Sequence, residues 1–306
     1  MRSYAFHGLT VGVSVPIEAV HARFASLPPS EEAPDLRFEV GNGFERPAGA
    51  RTVYEPPAGE VVYHDAGDLL YLEHGPMRVL ADPGDGRVLF SMGEIEGEEL
   101  WILSHPFVSV PMMELLKRRG LFGVHAAGAA LDGRALVLAG TSGSGKSTLS
   151  LALARAGFDF LGDDTLFLAW RPDGLRVLAF PDEIDLTEET AGFFPELPET
   201  AARATPGWRK RQLRAGEAFG ARIAWECEPA VLVFPRVSGR PRSELRPIDA
   251  GEALLELAPN VLLTQPEASQ AHLDALAELA RASRCWRLET GTDLDEAATL
   301  LRGLLA

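Results

Sequence analysis

Along much of the first hundred residues, apolar and polar positions alternate with a period of two. The pattern is clearest at Leu9–Val15, Leu36–Val40, Val61–His64, Leu69–Leu72, Met77–Leu80 and Arg87–Ser91. Alternation of this kind predicts strands with one buried face. Turn-forming stretches at Leu27–Pro34, Pro47–Ala50 and Asp82–Gly86 separate them. One helix is predicted around Pro16–Ala25. Residues 1–104 therefore read as a small β-rich N-terminal domain, without a visible catalytic constellation.

The period changes near His105. Pro106–Arg119 carries apolar residues at helical spacing and ends in Lys117, Arg118, Arg119 and Gly120, cations and a glycine where a helix stops. Two apolar strands follow, Val124–Leu131 and Arg134–Ala139, joined by the hairpin signal Asp132-Gly133. A helix is predicted at Ser147–Ala156, closed by Gly157, and then a strand at Phe158–Leu161. Thr165–Trp170 and Leu175–Phe180 form a second hairpin around Arg171-Pro172-Asp173-Gly174. Thr187–Thr205 is polar and proline-punctuated, and reads as partly mobile. Strands at Ala230–Phe234 and Cys285–Leu288 and helices at Gly251–Leu257, Ala268–Ala282 and Leu294–Leu305 complete the second domain, residues 105–306. The hairpins imply a mixed sheet, so the predicted class is α/β.

Composition narrows the function classes. The net charge of −15 and a pI near 4.9 disfavour nonspecific binding to nucleic acid or to anionic membrane. No apolar run is long enough to span a bilayer, and the N-terminus has no apolar stretch of signal-peptide length, so a cytoplasmic location is expected. Cys227 and Cys285 stand far apart and read as small buried hydrophobes, not as a disulfide or zinc pair. Lysine occurs only at Lys117, Lys146 and Lys210, which makes a lysine inside a glycine-rich loop more telling.

That loop is Gly140-Thr141-Ser142-Gly143-Ser144-Gly145-Lys146-Ser147, a full match to GxxxxGK[ST], followed by Thr148. It leaves an apolar strand and opens a helix, the setting in which backbone N–H groups and the helix dipole hold phosphate. In this reading Lys146 reaches the β- and γ-phosphates of ATP and the Ser147 hydroxyl binds Mg2+. Asp163 and Asp164 end the strand that follows the loop helix. Acids at that place suit phosphoryl transfer: one deprotonates an acceptor hydroxyl and the other holds magnesium. Solvated aspartates at a strand end are the plainer alternative.

Taken together, Val124-His125-Ala126-Ala127-Gly128, the Asp132-Gly133 hairpin, Gly140–Ser147 and Gly162-Asp163-Asp164 resemble the catalytic domain of HPr kinase/phosphorylase. They resemble still more the HPr-kinase-related proteins that include lasso-peptide kinases. The resemblance is densest over residues 121–182 and extends to Ala230–Pro235 and Leu288–Leu305. It implies a P-loop core akin to that of phosphoenolpyruvate carboxykinase and an ATP-dependent serine kinase activity. It makes Asp163 the acid/base and Asp164 the metal-side acid, with the roles open to exchange. His125 would contact phosphate or tune the pair, or be a structural residue. The sequence departs from the family at Thr148, where glutamate is usual, and lacks a clear Glu-x-Arg-Gly segment. Gly207-Trp208-Arg209-Lys210-Arg211 matches a basic segment of the related kinases, so Arg209, Lys210 or Arg211 is a candidate to neutralise the transferring phosphoryl group.

The leading expectation is an ATP/Mg-dependent kinase acting on a serine or threonine hydroxyl of a peptide or small protein, with a ribosomal precursor peptide as one acceptor class. A small-molecule kinase and a nucleotide-gated regulatory module are the alternatives. Homo-oligomerisation is left open.

Overall fold

The computed structural model describes the 306-residue chain apart from residues 42, 56–60, 94, 96, 97, 198–202, 205–210, 215, 217, 262, 263 and 265. The chain is a mixed α/β protein whose contacts divide it into two units. Among the described residues the first contains Met1–Leu121, Thr264 and 266–269, and the second contains the remainder.

The first unit is built on an eight-stranded sheet. Its elements are β1 (Arg2–Phe6), β2 (Leu9–Val13), α1 (Glu18–Ala22), β3 (Leu36–Val40), β4 (Arg51–Tyr54), β5 (Val62–Ala66), β6 (Leu69–His74), β7 (Met77–Asp82), β8 (Arg87–Ser91), α2 (Glu98–Ser104) and α3 (Pro106–Lys117). The strand order is β1-β2-β3-β8-β7-β6-β5-β4. Alternate residues of β7 and β8 are buried, as the period-two pattern requires. Phe38 packs between Phe24, which it meets edge-on, and Phe90, to which it is tilted, in the core. Strand β1 is additional to the sequence expectation, and it turns into β2 through His7 and Gly8, both at positive φ. Helix α3 ends in a buried ion pair, Lys117 Nζ to Glu114 Oε2 at 2.8 Å. The Thr264 hydroxyl donates to the same carboxylate at 2.9 Å.

In the second unit the elements are β9 (Leu121–Val124), β10 (Ala126–Leu131), β11 (Arg134–Ala139), α4 (Lys146–Arg155), β12 (Asp159–Gly162), β13 (Leu166–Arg171), β14 (Gly174–Leu178), β15 (Ile184–Leu186) and α5 (Glu188–Gly192). Then come β16 (Arg203–Ala204), β17 (Arg211–Leu213), β18 (Glu226–Val237), β19 (Glu244–Ile248), α6 (Ala250–Leu257), α7 (Pro266–Ala282), β20 (Arg284–Thr290) and α8 (Leu294–Leu305). The main sheet runs β12-β10-β11-β18-β14-β13-β9, and β20 and then β19 branch from β18. Strands β11, β18 and β20 are mutually parallel and the hairpins are antiparallel, so the sheet is mixed as expected.

The apolar runs of β11 and β18 are buried on both faces. Val137, Ala139, Leu232 and Phe234 face a cluster with Leu257, Leu276 and Leu279 of α6 and α7. Leu136, Leu138, Val231 and Val233 face the other way, against Leu149 and Leu153 of α4 and Leu301 of α8. Burial on both faces explains why these strands read as continuous apolar runs instead of alternating ones. A small sheet, β15-β17-β16, packs Ile184, Leu186 and Leu213 against Leu151 and Ala152 of α4. The loop helix is thereby held from two sides.

One predicted strand divides. Val124–Leu131 breaks at His125 into β9, which pairs β13, and β10, which pairs β11 and β12. Residues 198–202 and 205–210 lie outside the described residues, so the expected mobile stretch is followed only in part. Its described beginning is ordered by a cap, with Thr187 Oγ1 accepting from the Thr190 N–H at 3.1 Å. Cys227 and Cys285 are buried free thiols, and burial pushes both pKa values up to about 11, in keeping with inert packing roles. Among the described residues no helix is long and apolar enough to cross a membrane.

Candidate active site

Strand β11 delivers the chain into the glycine-rich loop. Gly143 and Gly145 sit at φ +80° and +96°, backbone that residues with a Cβ adopt only under strain. Gly145 is the N-cap of α4, so the loop ends where the helix presents its unpaired first-turn N–H groups. Thr141, Ser142 and Gly143 form the exposed tip, whereas the Lys146 side chain is buried. Its Nζ donates to the carbonyl oxygens of Gly140 at 2.7 Å and Thr141 at 3.1 Å, which holds the ammonium over the loop. Ser144 Oγ is buried without a hydrogen-bond partner. At its far end α4 stops cleanly at Gly157, with the Gly157 N–H on Ala154 O and the Phe158 N–H on Leu153 O, both at 3.0 Å.

The turn at Gly157 sends the chain back as β12, which ends at Gly162 directly before the acid pair. No side chain fits at Gly162: a Cβ there would lie 2.7 Å from the carbonyl oxygens of both Phe180 and Thr165. This close approach seats Asp163 in the interior, only 4% exposed, and its N–H donates to Asp182 Oδ1 at 3.0 Å. Asp163 Oδ1 is buried with no hydrogen-bond partner among the described residues. Burial raises the Asp163 pKa from 3.8 to about 6; the Ser147 and Ser150 hydroxyls on the facing side of α4 oppose the rise, and the charges of Asp164 and Asp185 add to it.

Asp164 has the opposite environment. Its side chain is 44% exposed, and its Oδ1 lies 3.2 Å from His125 Nδ1. The same Nδ1 is 2.9 Å from the Asp164 carbonyl oxygen, so a proton there donates to both oxygens. The break between β9 and β10 places the imidazole in this position. Burial works against a charged His125, but the Asp164 carboxylate outweighs it and raises the pKa above the ordinary histidine value, while Lys146 acts in the lowering direction. Lys146, Ser147, Asp163, Asp164 and His125 therefore converge on one mouth of the loop.

Other sequence candidates sit differently. Thr148 Oγ1 bonds Thr190 Oγ1 at 3.1 Å, tying α4 to α5. Arg211 pairs with Glu188 Oε1 at 3.3 Å, on the small sheet. Arg209 and Lys210 lie outside the described residues. Two acids that sequence reasoning passed over belong to the site's surroundings. Asp182 is buried and anchors the Asp163 backbone. Asp185 accepts from Gln212 Nε2 at 3.1 Å and adds negative charge near Asp163. Neither stands at a spacing from the loop that a motif would flag.

The residues fit a magnesium-bound nucleoside triphosphate. A glycine loop with a buried lysine, a first-turn serine hydroxyl and the half-exposed Asp164 carboxylate form the donor set such a group takes. Among the described residues there is no cluster of three or more His, Cys, Asp or Glu that could hold a metal ion.

No family model matches the chain, and no curated protein matches it in sequence. Among solved structures, the Hpr(Ser) kinase/phosphatase from Coxiella burnetii is similar at 14% identity and a TM-score of 0.30, over 59% of this chain and 94% of that one. At that identity and score the likeness carries no functional weight.

Proposed function

We propose that the chain is an ATP/Mg-dependent phosphotransferase of the HPr-kinase-like type, transferring the γ-phosphoryl group to a serine or threonine hydroxyl of a peptide or small protein. The observation that carries this reading is the placement of Asp163: buried, with one carboxylate oxygen unpartnered, against Ser147 in the first turn of the loop helix. A switch or motor needs a metal-organising acid. A buried carboxylate with free acceptor capacity, beside a second exposed one, also supplies a base for an incoming hydroxyl.

In this mechanism the loop and Lys146 hold the β- and γ-phosphates, and Ser147 and Asp164 are the residues that would hold magnesium. The ion supplies charge neutralisation on the phosphates when bound. Asp163 accepts the proton of the acceptor hydroxyl as its oxygen bonds to the γ-phosphorus. The bond from that phosphorus to the β–γ bridging oxygen breaks, and ADP leaves with the bonding pair. His125 holds Asp164 in position and balances its charge.

Mass spectrometry of a serine- and threonine-containing peptide panel after incubation with ATP and magnesium tests this. The expected result is a single phosphate added to a hydroxyl residue, lost in Asp163→Asn. Transfer only to free serine, sugars or nucleosides would move the acceptor class to small molecules. Transfer that persists in Asp163→Asn would remove the base assignment.

A further inference from the structure

The carboxyl ends of the parallel strands β11, β18 and β20 lie at the same end of the sheet as the glycine loop. Strand β18 overshoots its neighbour: Leu138 of β11 pairs with Val233, and β18 runs on to Val237. Its end is a wall of the loop. A Cβ on Gly140 would lie 3.9 Å from Pro235 O, and one on Gly145 would lie 3.3 Å from Val237 Cγ2. Val237 is nonetheless 66% exposed, an apolar side chain beside a phosphate loop with no core to enter.

Beyond Val237 the chain turns through Ser238-Gly239-Arg240-Pro241-Arg242-Ser243, with both arginines exposed. This turn is braced. Ser238 Oγ donates to Thr290 O at 2.8 Å, the Thr292 N–H to Arg240 O at 2.8 Å, and the Ser243 N–H to Glu296 Oε2 at 2.9 Å. Gly291 packs so closely that a Cβ would lie 2.5 Å from the Arg242 carbonyl carbon. The side chains, in contrast, are lightly engaged. Arg240 Nη1 is 3.5 Å from an exposed Glu244 oxygen, and the Arg242 guanidinium has no partner among the described residues. A hollow of about 590 Å3 is lined by Arg240, Pro241, Arg242, Ser243 and Glu244. A second hollow, of about 430 Å3 beside Asp132 and Gly133, lies at the opposite end of these strands.

Strand order gives the bound nucleotide a direction. β12, which leads to the acid pair, lies on one side of β11, and β18 and β20 lie on the other. A triphosphate with its terminal phosphate towards Ser147 and Asp163 runs its nucleoside towards β18. We propose that Val237–Arg242 is the nucleoside subsite of a purine nucleotide. Val237 packs on the base, and the Arg240 and Arg242 guanidinium planes stack on it or donate to ribose hydroxyls. A rigid backbone carrying lightly engaged arginines is preorganised for such a role. The assignment rests on the phosphate-loop reading of Gly140–Ser147.

Equilibrium binding of ATP and of inorganic triphosphate, each with magnesium, to the full chain tests it. In R240A/R242A, ATP affinity is expected to fall about tenfold while triphosphate affinity stays at the wild-type value. R240K/R242K keeps the surface charge but offers no stacking plane, and should share the loss. Unchanged ATP affinity in both double variants, or equal weakening of ATP and triphosphate, overturns the subsite. K146A is expected to weaken both ligands; if it weakens neither, the phosphate-loop reading itself falls and the subsite with it.

Discussion

Replacing Asp163 by asparagine should stabilise the protein above neutral pH. Burial holds the Asp163 carboxyl at a pKa of about 6 instead of 3.8. The folded state therefore binds the proton more tightly than the unfolded chain. For an acid displaced upwards, the cost of folding is absent below the unfolded value. It grows as pH rises through the window from 3.8 to about 6, and is complete above it. At about 1.4 kcal/mol per pH unit, the penalty at pH 8 is of the order of 3 kcal/mol, falling to roughly 0.5 kcal/mol at pH 4. Asparagine has nearly the same shape and no charge to desolvate. Thermal melting in chelator, so that no metal compensates the carboxylate, should show D163N melting roughly 5 °C above wild type at pH 8 and nearly with it at pH 4. A gain that is equal at both pH values, or a D163N protein less stable than wild type at pH 8, would refute the argument. The stabilised variant should also be inactive, the usual relation between a strained functional group and stability.

Gly162→Ala should destabilise by about 3 kcal/mol, because its Cβ meets two backbone carbonyl oxygens that have nowhere to go, and a urea titration would read this as a lowered midpoint. In Asp164→Asn the His125 pKa should fall, since burial is then opposed only by the hydrogen bond to the backbone carbonyl of residue 164; an NMR titration of the imidazole C–H that shows no fall would exclude the pairing. The wild-type pair contributes to stability below the unfolded histidine pKa and loses that contribution as pH rises through the raised folded value. Thr148→Val should cost about 1 kcal/mol through loss of the Thr190 bond and leave ATP affinity unchanged, as judged by denaturation and calorimetry.

What the sequence made legible is what local chemistry dictates. Asp132-Gly133 forms the expected hairpin turn, with both residues at positive φ. The glycine loop stands between an apolar strand and a helix, as its motif requires. The elements that escaped are those whose local signals point the wrong way. β18 extends well past Ala230–Phe234 because Pro229 and Pro235, normally strand breakers, are accommodated inside it. β19 is charged and contains Pro247, composition typical of a sheet edge, and among the described residues it pairs only β20. The break at His125 has no signature in an otherwise alanine-rich run; it follows from β9 and β10 joining different neighbours. Asp182 was invisible for a similar reason, since its importance comes from a hydrogen bond across nineteen positions of chain.

That hydrogen bond bears on why two adjacent aspartates are present. Asp163 and Asp164 occupy a bend just past the end of β12, where neighbours in sequence reach different surroundings. Here Asp163 is turned inward, anchored through its N–H to Asp182 and crowded against α4 by the backbone contact at Gly162. Asp164 is turned outward to His125 and water. The two carboxyls therefore sit in different surroundings, although each carries the same side chain. In the proposed mechanism the buried one is the base and the exposed one helps to hold the cation. A single aspartate at either position could not meet both demands, because burial that raises one pKa is the condition that a metal-holding carboxylate must avoid. The division of labour is built from Gly162, Asp182 and the break at His125 as much as from the acids themselves.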